Sequence, residues 1–581
     1  MVPIKPVSGC TLVKNVGGYS ELVFPTGSKD KTFSIELAQP EFKIQNLSWL
    51  PRYPFLREVD GTCTDVEVNF TPPKKTEAKH PVTPETDNLR LVPQPTSWEP
   101  SGNTITIATG LSLNSEHPFV DAFKSADELA KRNGIDPLLG GEVKLTVGDD
   151  FDGPEDGYLL KISETGIVIN ANSRAGAFYA AISLVNLNVT YGGTIPCGLI
   201  TDAPRFEWRG QQLDCARHFY EPDILLRFVD LLALMKLNRF HWHFNDDETF
   251  RLEVECYPEI WQKTRMRGEG KLLPGLFGGG KGPAGGSYSL DFARDLIEHA
   301  KKLEIEVLPE IEIPAHAFAL IQVFPDLYDD DDESEEQSVQ GYIRNTMNPA
   351  KPFMWEFVEN LIRELAGIFP FGHIHLGCDE RPPKAWMNSP AAKKLMQQES
   401  LASLDDLQGW TMEKIGAIVK AQGCQPCAWE EAAYGSNGGI GNDAILFSWT
   451  GQGPGLEAAR KGYKVVMSPA QHLYFDMAKS NSFNDCGGIW AGALALGKTV
   501  EWLPVPADEP KLEKNIIGVE GAFWGELTTQ DNEMESMIAP RILGLAEIAW
   551  RTKENPADAI SILQAEKFYN VLFRKIGWST E

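Results

Sequence analysis

The chain has 581 residues, 42% of them hydrophobic and 10% aromatic, more than a single hydrophobic core serves, so two or three domains are expected. Lysine plus arginine (54) against aspartate plus glutamate (81) leaves a net charge of −27, a balance that repels phosphate backbones and anionic lipid and excludes nucleic acid and membrane surfaces as partners. No stretch reaches membrane-span length and the opening MVPIKPVSGC lacks the apolar core of a leader, so the expected compartment is the cytoplasm, with periplasmic or secreted placement open if a leader has been removed.

Residues 1 to about 75 alternate apolar and polar positions (SELVFP, FSIEL, TDVEVNF), which predicts a small β-sandwich. The segment from Thr71 to Asn88, TPPKKTEAKHPVTPETDN, is charged, Pro-rich and aperiodic, and residues 76–88 are read as a semi-rigid linker. Residues 89–202 mix strand-like runs (TITIATGL, GEVKLTVG, GYLLKIS, GIVINA) with helical ones (FVDAFKSADELAKRNG, SRAGAFYAAISLVNL), the pattern of an α+β domain.

From residue 203 to 581 the rhythm changes. Eight short runs (QQLDCA, NRFHWHF, IEVLPEIEI, HIHLGCD, QPCAWE, AILFSW, KVVMSP, IIGVEGAFW) alternate with helices or long connections, which predicts a (β/α)8 TIM barrel with insertions. Pro222 near a first helical turn and Ser289 as an N-cap open two of the predicted helices. The acidic run from Asp329 to Glu336 reads as a solvated loop, because no calcium-ligand spacing with a turn glycine accompanies it. The Gly-rich stretch from Arg267 to Ser289 is placed at the entrance of the barrel. Nine cysteines without a dense framework fit a reducing compartment, and the Cys424/Cys427 pair lacks a second pair at zinc spacing.

Barrel chemistry sits where the strands end. That rim collects Asp214, Arg217 and His218; Asp246, Asp247 and Glu248; Glu312 and His316; Asp379 and Glu380; Trp429, Glu430 and Glu431; Trp449; Tyr474 and Asp476; and Trp524 and Glu526. Aromatic faces stack on the C–H faces of sugar rings while acids and arginine pair with hydroxyls, so the leading ligand is a carbohydrate. Glycosidic hydrolysis commonly uses two carboxyls on opposite sides of the ring. Asp379 and Glu380 are adjacent and cannot easily flank a sugar, and they can share a pocket only if their strand has just ended. Another division of labour makes sense of them. A 2-acetamido group on the substrate supplies the nucleophile, Asp379 orients it, and Glu380 protonates the leaving group and later serves as base, its pKa raised by the neighbouring like charge. The two H-x-H pairs, His241/His243 and His373/His375, are the alternative, a metal-dependent amidohydrolase barrel; histidines packed in the core or behind the site account for them more simply.

Five segments carry a resemblance: LDCARHFY (213–220), KLNRFHWHFNDDETFRLEV (236–254), EVLPEIEIPAH (306–316), HLGCDE (375–380) and FWGE (523–526). In order and content they resemble family 20 glycoside hydrolases, the β-N-acetylhexosaminidases, and particularly the bacterial chitobiase-like members. The resemblance implies that Arg217 holds the outer hydroxyls, that Asp246 and His316 form a relay beside Glu380, and that Tyr474 donates to the acetamido carbonyl. It further implies that Asp476 and Glu526 bind hydroxyls, that Trp429, Trp449 and Trp490 wall the acetamido pocket, and that Trp524 floors it. The chemistry so implied needs no metal or cofactor, and the partners are chito-oligosaccharides or other glycans with terminal β-linked N-acetylglucosamine. Cys378 and Ala315 stand where the family usually has glycine. The N-terminal domain is open between a carbohydrate-binding module, the favoured reading, and a spacer; a non-catalytic glycan-binding barrel is the remaining alternative.

Overall fold

The computed structural model describes residues 4–16, 19–25, 34–37, 46, 48, 52–66, 88–113, 116–275, 277–552 and 559–580. Within the first 66 residues the described strands pair as three separate antiparallel ladders: Ile4–Ser8 with Ser34–Leu37, Thr11–Val16 with Tyr19–Val23, and Phe55–Arg57 with Cys63–Asp65. The expected linker, apart from Asn88, lies outside the described residues. The described residues of this N-terminal region touch connections and a helix of the barrel domain. Asn46 Nδ2 donates to the Gly487 carbonyl at 2.9 Å, Arg52 pairs with Glu533 at 3.3 Å, and Arg57 pairs with Glu269 at 2.9 Å. Glu269 belongs to the Gly-rich stretch, and Gly278 of the same stretch faces Thr529, beyond the last barrel strand.

Residues 88–203 form a six-stranded sheet with two helices. Its strand order is Ser97–Thr106, Thr194–Asp202, Tyr158–Ser163, Gly166–Ala171, Val143–Gly148 and Leu111–Leu113. Helix Arg174–Thr190 is apolar nearly all round and almost wholly buried, as a helix covered on every side must be. Its N-cap, Ser173, accepts from the Gly176 N–H and so satisfies one of the open amides of the first turn.

Eight parallel strands then close a barrel: β1 Trp208–Asp214, β2 Arg239–His243, β3 Glu306–Glu310, β4 His373–His375, β5 Gln425–Trp429, β6 Ile445–Ser448, β7 Lys464–Met467 and β8 Ile516–Gly521. Seven lie inside the runs expected from the sequence, and β1 overlaps its run but begins three residues earlier, at Trp208. The helices begin where the caps predicted: Pro222 opens Pro222–Leu234, and the Ser289 side chain accepts from the Phe292 N–H at the head of Leu290–Lys302. No helix among the described residues is long and apolar enough to cross a membrane.

Side-chain alternation along the strands fills the barrel interior with Trp208, Leu308, Cys427, Trp429, Ile445, Phe447 and Val466. Five polar groups, His241, His243, Glu310, His375 and Glu520, are buried with them. Cys424 and Cys427 sit in different hydrophobic clusters, Cys427 inside the barrel and Cys424, just before the strand, in the main core.

One expectation is corrected. The acidic run does not lie wholly in solvent: Asp329, Asp332 and Glu336 are buried, while Asp330, Asp331, Glu333 and Glu335 are exposed. Asp329 accepts from Ser389 Oγ at 2.5 Å, and burial with Asp332 nearby pushes Glu336 up to about 8. The run therefore anchors its loop to the barrel, and that loop carries Gln340 to the rim.

Candidate active site

Strand β4 stops at His375, and the chain then passes through left-handed backbone at Gly377 (φ +59°), Cys378 (φ +77°) and Glu380 (φ +50°). This sharp turn is how two consecutive acids come to share one pocket. A β-carbon at Gly377 would lie 1.9 Å from Glu312 Oε2, so glycine is required there by space as well as by φ. Cys378 occupies a conformation that favours glycine, which gives the departure from the family pattern a physical meaning. Its buried thiol receives the Gln408 amide N–H at 3.3 Å.

His316 stands between the acids and the wall of the barrel. Its Nδ1 lies 3.0 Å from Asp246 Oδ1 and 3.5 Å from Asp247 Oδ2, and its Nε2 lies 3.5 Å from Glu380 Oε2 and 3.6 Å from Asp379 Oδ2. Burial alone would favour the neutral ring, but the charges of Asp246 and Asp379 hold it cationic, its pKa well above the usual histidine range. The same cation corrects the expectation for Glu380. Burial pushes that carboxyl up, yet contact with His316 and a hydrogen bond from Gln340 Nε2 at 3.3 Å outweigh it, so its pKa is lowered. Asp379 is the acid that rises, to about 6, through burial above all and then through the charges of Glu310 and Glu380, against the pull of His316. Its Oδ1 is buried without a hydrogen-bond partner. Glu312, buried beside it with both oxygens unpartnered, is pushed well up by burial and by Asp379.

Arg217 is fixed by carboxylates. Asp214 accepts from the backbone N–H groups of Ala216 and Arg217, and the guanidinium reaches Asp246 at 2.8 Å, Glu248 at 2.8 Å and Asp214 at 3.3 Å. It also lies 5.5 Å from the centre of the Trp524 ring. Asp476, with one unpartnered oxygen, is pushed well up by burial and by Glu526, and Glu526 is itself raised by burial.

The aromatic wall is contiguous. Trp429 and Trp524 have ring centres 6.0 Å apart, Tyr474 lies 6.2 Å from Trp524, and Trp449 stacks on Tyr474 at 6.3 Å with planes 13° apart. Two buried carboxylates orient two of these rings: Glu310 Oε1 accepts from Trp429 Nε1 at 2.9 Å, and Glu431 accepts from Trp449 Nε1 at 3.1 Å. Trp490 touches Trp449 and Tyr474 edge-on but is 57% exposed, so it stands at the outer rim and not in an enclosed wall.

All twelve expected site residues thus come together around one mouth. Two residues escaped the sequence reading. Gln340 has no local signal, because it reaches Glu380 from a loop 40 positions away. Glu310 had one: it alternates with Leu308 on the inward face of β3. The H-x-H pairs divide. His241 and His243 each point both ring nitrogens at carboxylates inside the barrel, and His375 lies 2.7 Å from Glu310, whereas His373 stacks on Phe371 at 4.0 Å. The spacing of His241, Glu310 and His375 could accommodate an ion, but the same atoms already pair with one another.

A parallel (β/α)8 barrel with paired acids and an aromatic wall at its C-terminal mouth defines a glycoside hydrolase. The chain belongs to glycosyl hydrolase family 20: the family's catalytic domain matches residues 206–553 and its domain 2 matches residues 88–203. A β-hexosaminidase of Vibrio furnissii is 33% identical over 480 residues, covering 81% of this chain and 78% of that protein. The N,N'-diacetylchitobiase of Vibrio harveyi is 27% identical over 79% of this chain and 62% of its own length. Among solved structures, an exo-β-N-acetylglucosaminidase from Vibrio harveyi in complex with N-acetylglucosamine superposes with a TM-score of 0.87 at 29% identity, covering 99% of this chain and 92% of that one.

Proposed function

We propose that the enzyme is a retaining exo-β-N-acetylhexosaminidase that releases terminal N-acetylglucosamine from short chito-oligosaccharides through an oxazolinium formed from the substrate's own acetamido group. The observation that carries this reading is the unpartnered Oδ1 of Asp379, a buried acceptor beside Glu380 that an amide N–H would satisfy.

In the free site the exchangeable proton resides on Asp379 and Glu380 is the anion. Binding reverses this: the acetamido N–H favours ionised Asp379, and the glycosidic oxygen against Glu380 favours its protonated form. The acetamido oxygen, held by the Tyr474 hydroxyl, then attacks the anomeric carbon as the bond to the leaving oxygen breaks and Glu380 gives that oxygen its proton. Asp379 offsets the positive charge on the cyclic intermediate. Glu380, now a carboxylate, takes a proton from water, which opens the ring at the anomeric carbon on the face the leaving group vacated, so configuration is retained. Arg217, Asp476 and Glu526 bind the outer hydroxyls, Trp429, Trp449 and Trp524 enclose the ring and its methyl group, and the exposed Trp490 meets the sugar or the chain beyond it.

Residues 1–75 are assigned as a carbohydrate-binding module; their removal weakens binding to chitin-like polymer, and equal binding would make them a spacer. For the central reading, a thiazoline mimic of the cyclic intermediate should inhibit strongly and competitively, and digestion of the N-acetylglucosamine dimer, trimer and tetramer should release monomer from one end. Indifference to the thiazoline would exclude substrate assistance.

A further inference from the structure

We infer that Glu310, which contacts no substrate, is a positioning residue joining the pocket wall to the acid–base relay. This inference rests on the assignment of Glu380 as the proton donor. The carboxylate lies on the barrel axis below the mouth, fully buried, with four nitrogens around it. Oε1 accepts from Trp429 Nε1 at 2.9 Å and lies 2.7 Å from His375 Nδ1; Oε2 contacts His243 Nδ1 and lies 3.2 Å from His241 Nε2. Trp429 Nε1 and His243 Nδ1 form hydrogen bonds to it, while His375 Nδ1 also receives the Gly377 N–H at 3.2 Å.

Two branches leave this point. Through Oε1 the residue fixes the plane of the Trp429 ring. Through Oε2 it fixes His243, whose Nε2 lies 3.0 Å from Asp246 Oδ2 and whose ring meets Trp524 edge-on at 5.0 Å; Asp246 continues to His316 and from there to Glu380. One buried anion therefore orients two tryptophans and the histidine–aspartate chain behind the acid. His243 is held cationic, pushed up to about 10: burial opposes the charge, and Glu310, Asp246 and Asp214 outweigh it, with Glu312 3.8 Å away. The network runs on through His241 to Glu520, which lies 2.7 Å from His241 Nδ1 and accepts from Trp208 Nε1 at 2.9 Å, away from the mouth.

Glu310→Gln keeps the shape, halves the accepting lone pairs and turns an N–H against donors. Without the anion one of the charges that hold the proton on Asp379 is gone, so the free site gives up that proton at lower pH. The expected result is a kcat lower by about tenfold to a hundredfold, a similar weakening of thiazoline binding, and an alkaline limb of kcat/KM displaced downward by roughly half a pH unit. Glu520→Gln serves as the control, removing an equally buried carboxylate from the far end of the network; it should lower the melting temperature while leaving kcat, inhibitor affinity and the alkaline limb as they were. If Glu310→Gln does not fold, His243→Gln, which cuts the relay branch alone, carries the same prediction for kcat.

Unchanged kinetics in Glu310→Gln, or losses that match those of Glu520→Gln with an unmoved limb, would overturn the inference. If the unmodified enzyme ignored the thiazoline, the substrate-assisted reading would fall, while kcat and the pH limb would still decide the role of Glu310.

Discussion

The two ends of the barrel are both rich in buried charge, and they treat it in opposite ways. At the closed end Arg209 donates to the Lys236 carbonyl at 3.0 Å, the Phe206 carbonyl at 2.8 Å and the Tyr179 hydroxyl at 2.7 Å. Lys236 pairs with Asp202 at 3.1 Å and donates to Tyr158 at 2.9 Å, while Trp550 donates to the other Asp202 oxygen at 2.8 Å. At the mouth, Asp379 Oδ1, Asp476 Oδ1 and both oxygens of Glu312 are buried without hydrogen-bond partners. A buried polar atom left unpaired costs about 1–3 kcal/mol, so the carboxylates of the mouth are held at the expense of stability that the Arg209, Lys236 and Asp202 cluster of the closed end does not give up. Charge at the closed end fastens the α+β domain to the barrel; charge at the mouth waits for a ligand.

The sharpest way to break this contrast is to neutralise one acid at the mouth. Glu380→Gln should reduce release of N-acetylglucosamine from an aryl glycoside by roughly 10²–10⁴-fold, the usual contribution of a general acid–base, with little change in melting temperature. Undiminished turnover would remove Glu380 from the chemistry. The matching change at the closed end should do the reverse. Lys236→Met strands Asp202 as an unpaired buried anion and should cost about 3–5 kcal/mol in urea unfolding, while kcat/KM per folded molecule stays as it was. A loss of kcat/KM without a loss of stability would erase the distinction between the two ends.

A smaller effect separates the two acids from the rest of the mouth. On the proposed mechanism, the proton that Glu380 delivers is carried in the free site by Asp379, whose pKa is raised to about 6. Because the pKa is raised, the proton is bound below that value and lost above it, so kcat/KM should be constant on the acid side of pH 6 and fall about tenfold per unit beyond it. A limb near pH 4.5, the ordinary glutamate value, would mean that Asp379 does not carry the proton.

The elements and the site were legible in the sequence to different depths. The eight strands could be read because each is a short apolar run between helices or glycine-containing turns, and the site residues because strand ends of such a barrel face one mouth. The direction of the proton could not be read. Adjacency of Asp379 and Glu380 predicts that each raises the other, but the sign at Glu380 is set by His316, which approaches from 64 positions earlier in the chain by way of its own left-handed turn at φ +51°. The acidic run misled for a similar reason: its composition reads as a solvated surface, and only the packing of Ser389 against Asp329 shows that part of it turns inward.

The smallest expected effect concerns Cys378, the one departure in the turn that builds the mouth. Its φ of +77° costs a residue with a β-carbon about 1–2 kcal/mol relative to glycine. The thiol offsets part of that cost, because it is fully buried and accepts from Gln408, whose amide also donates to the Glu431 carbonyl at 3.1 Å and whose own oxygen accepts from Arg381 at 2.5 Å. Cys378→Gly relieves the backbone and opens a small cavity, so the two terms nearly cancel and the net change in unfolding free energy should stay within about 1 kcal/mol. Catalysis should follow the backbone and not the side chain. The acids keep their turn, so kcat should move by less than about threefold. A large gain in stability with loss of activity would mean that the strain itself holds Asp379 and Glu380 in register; a large loss of stability would mean that the thiol anchors the turn through Gln408.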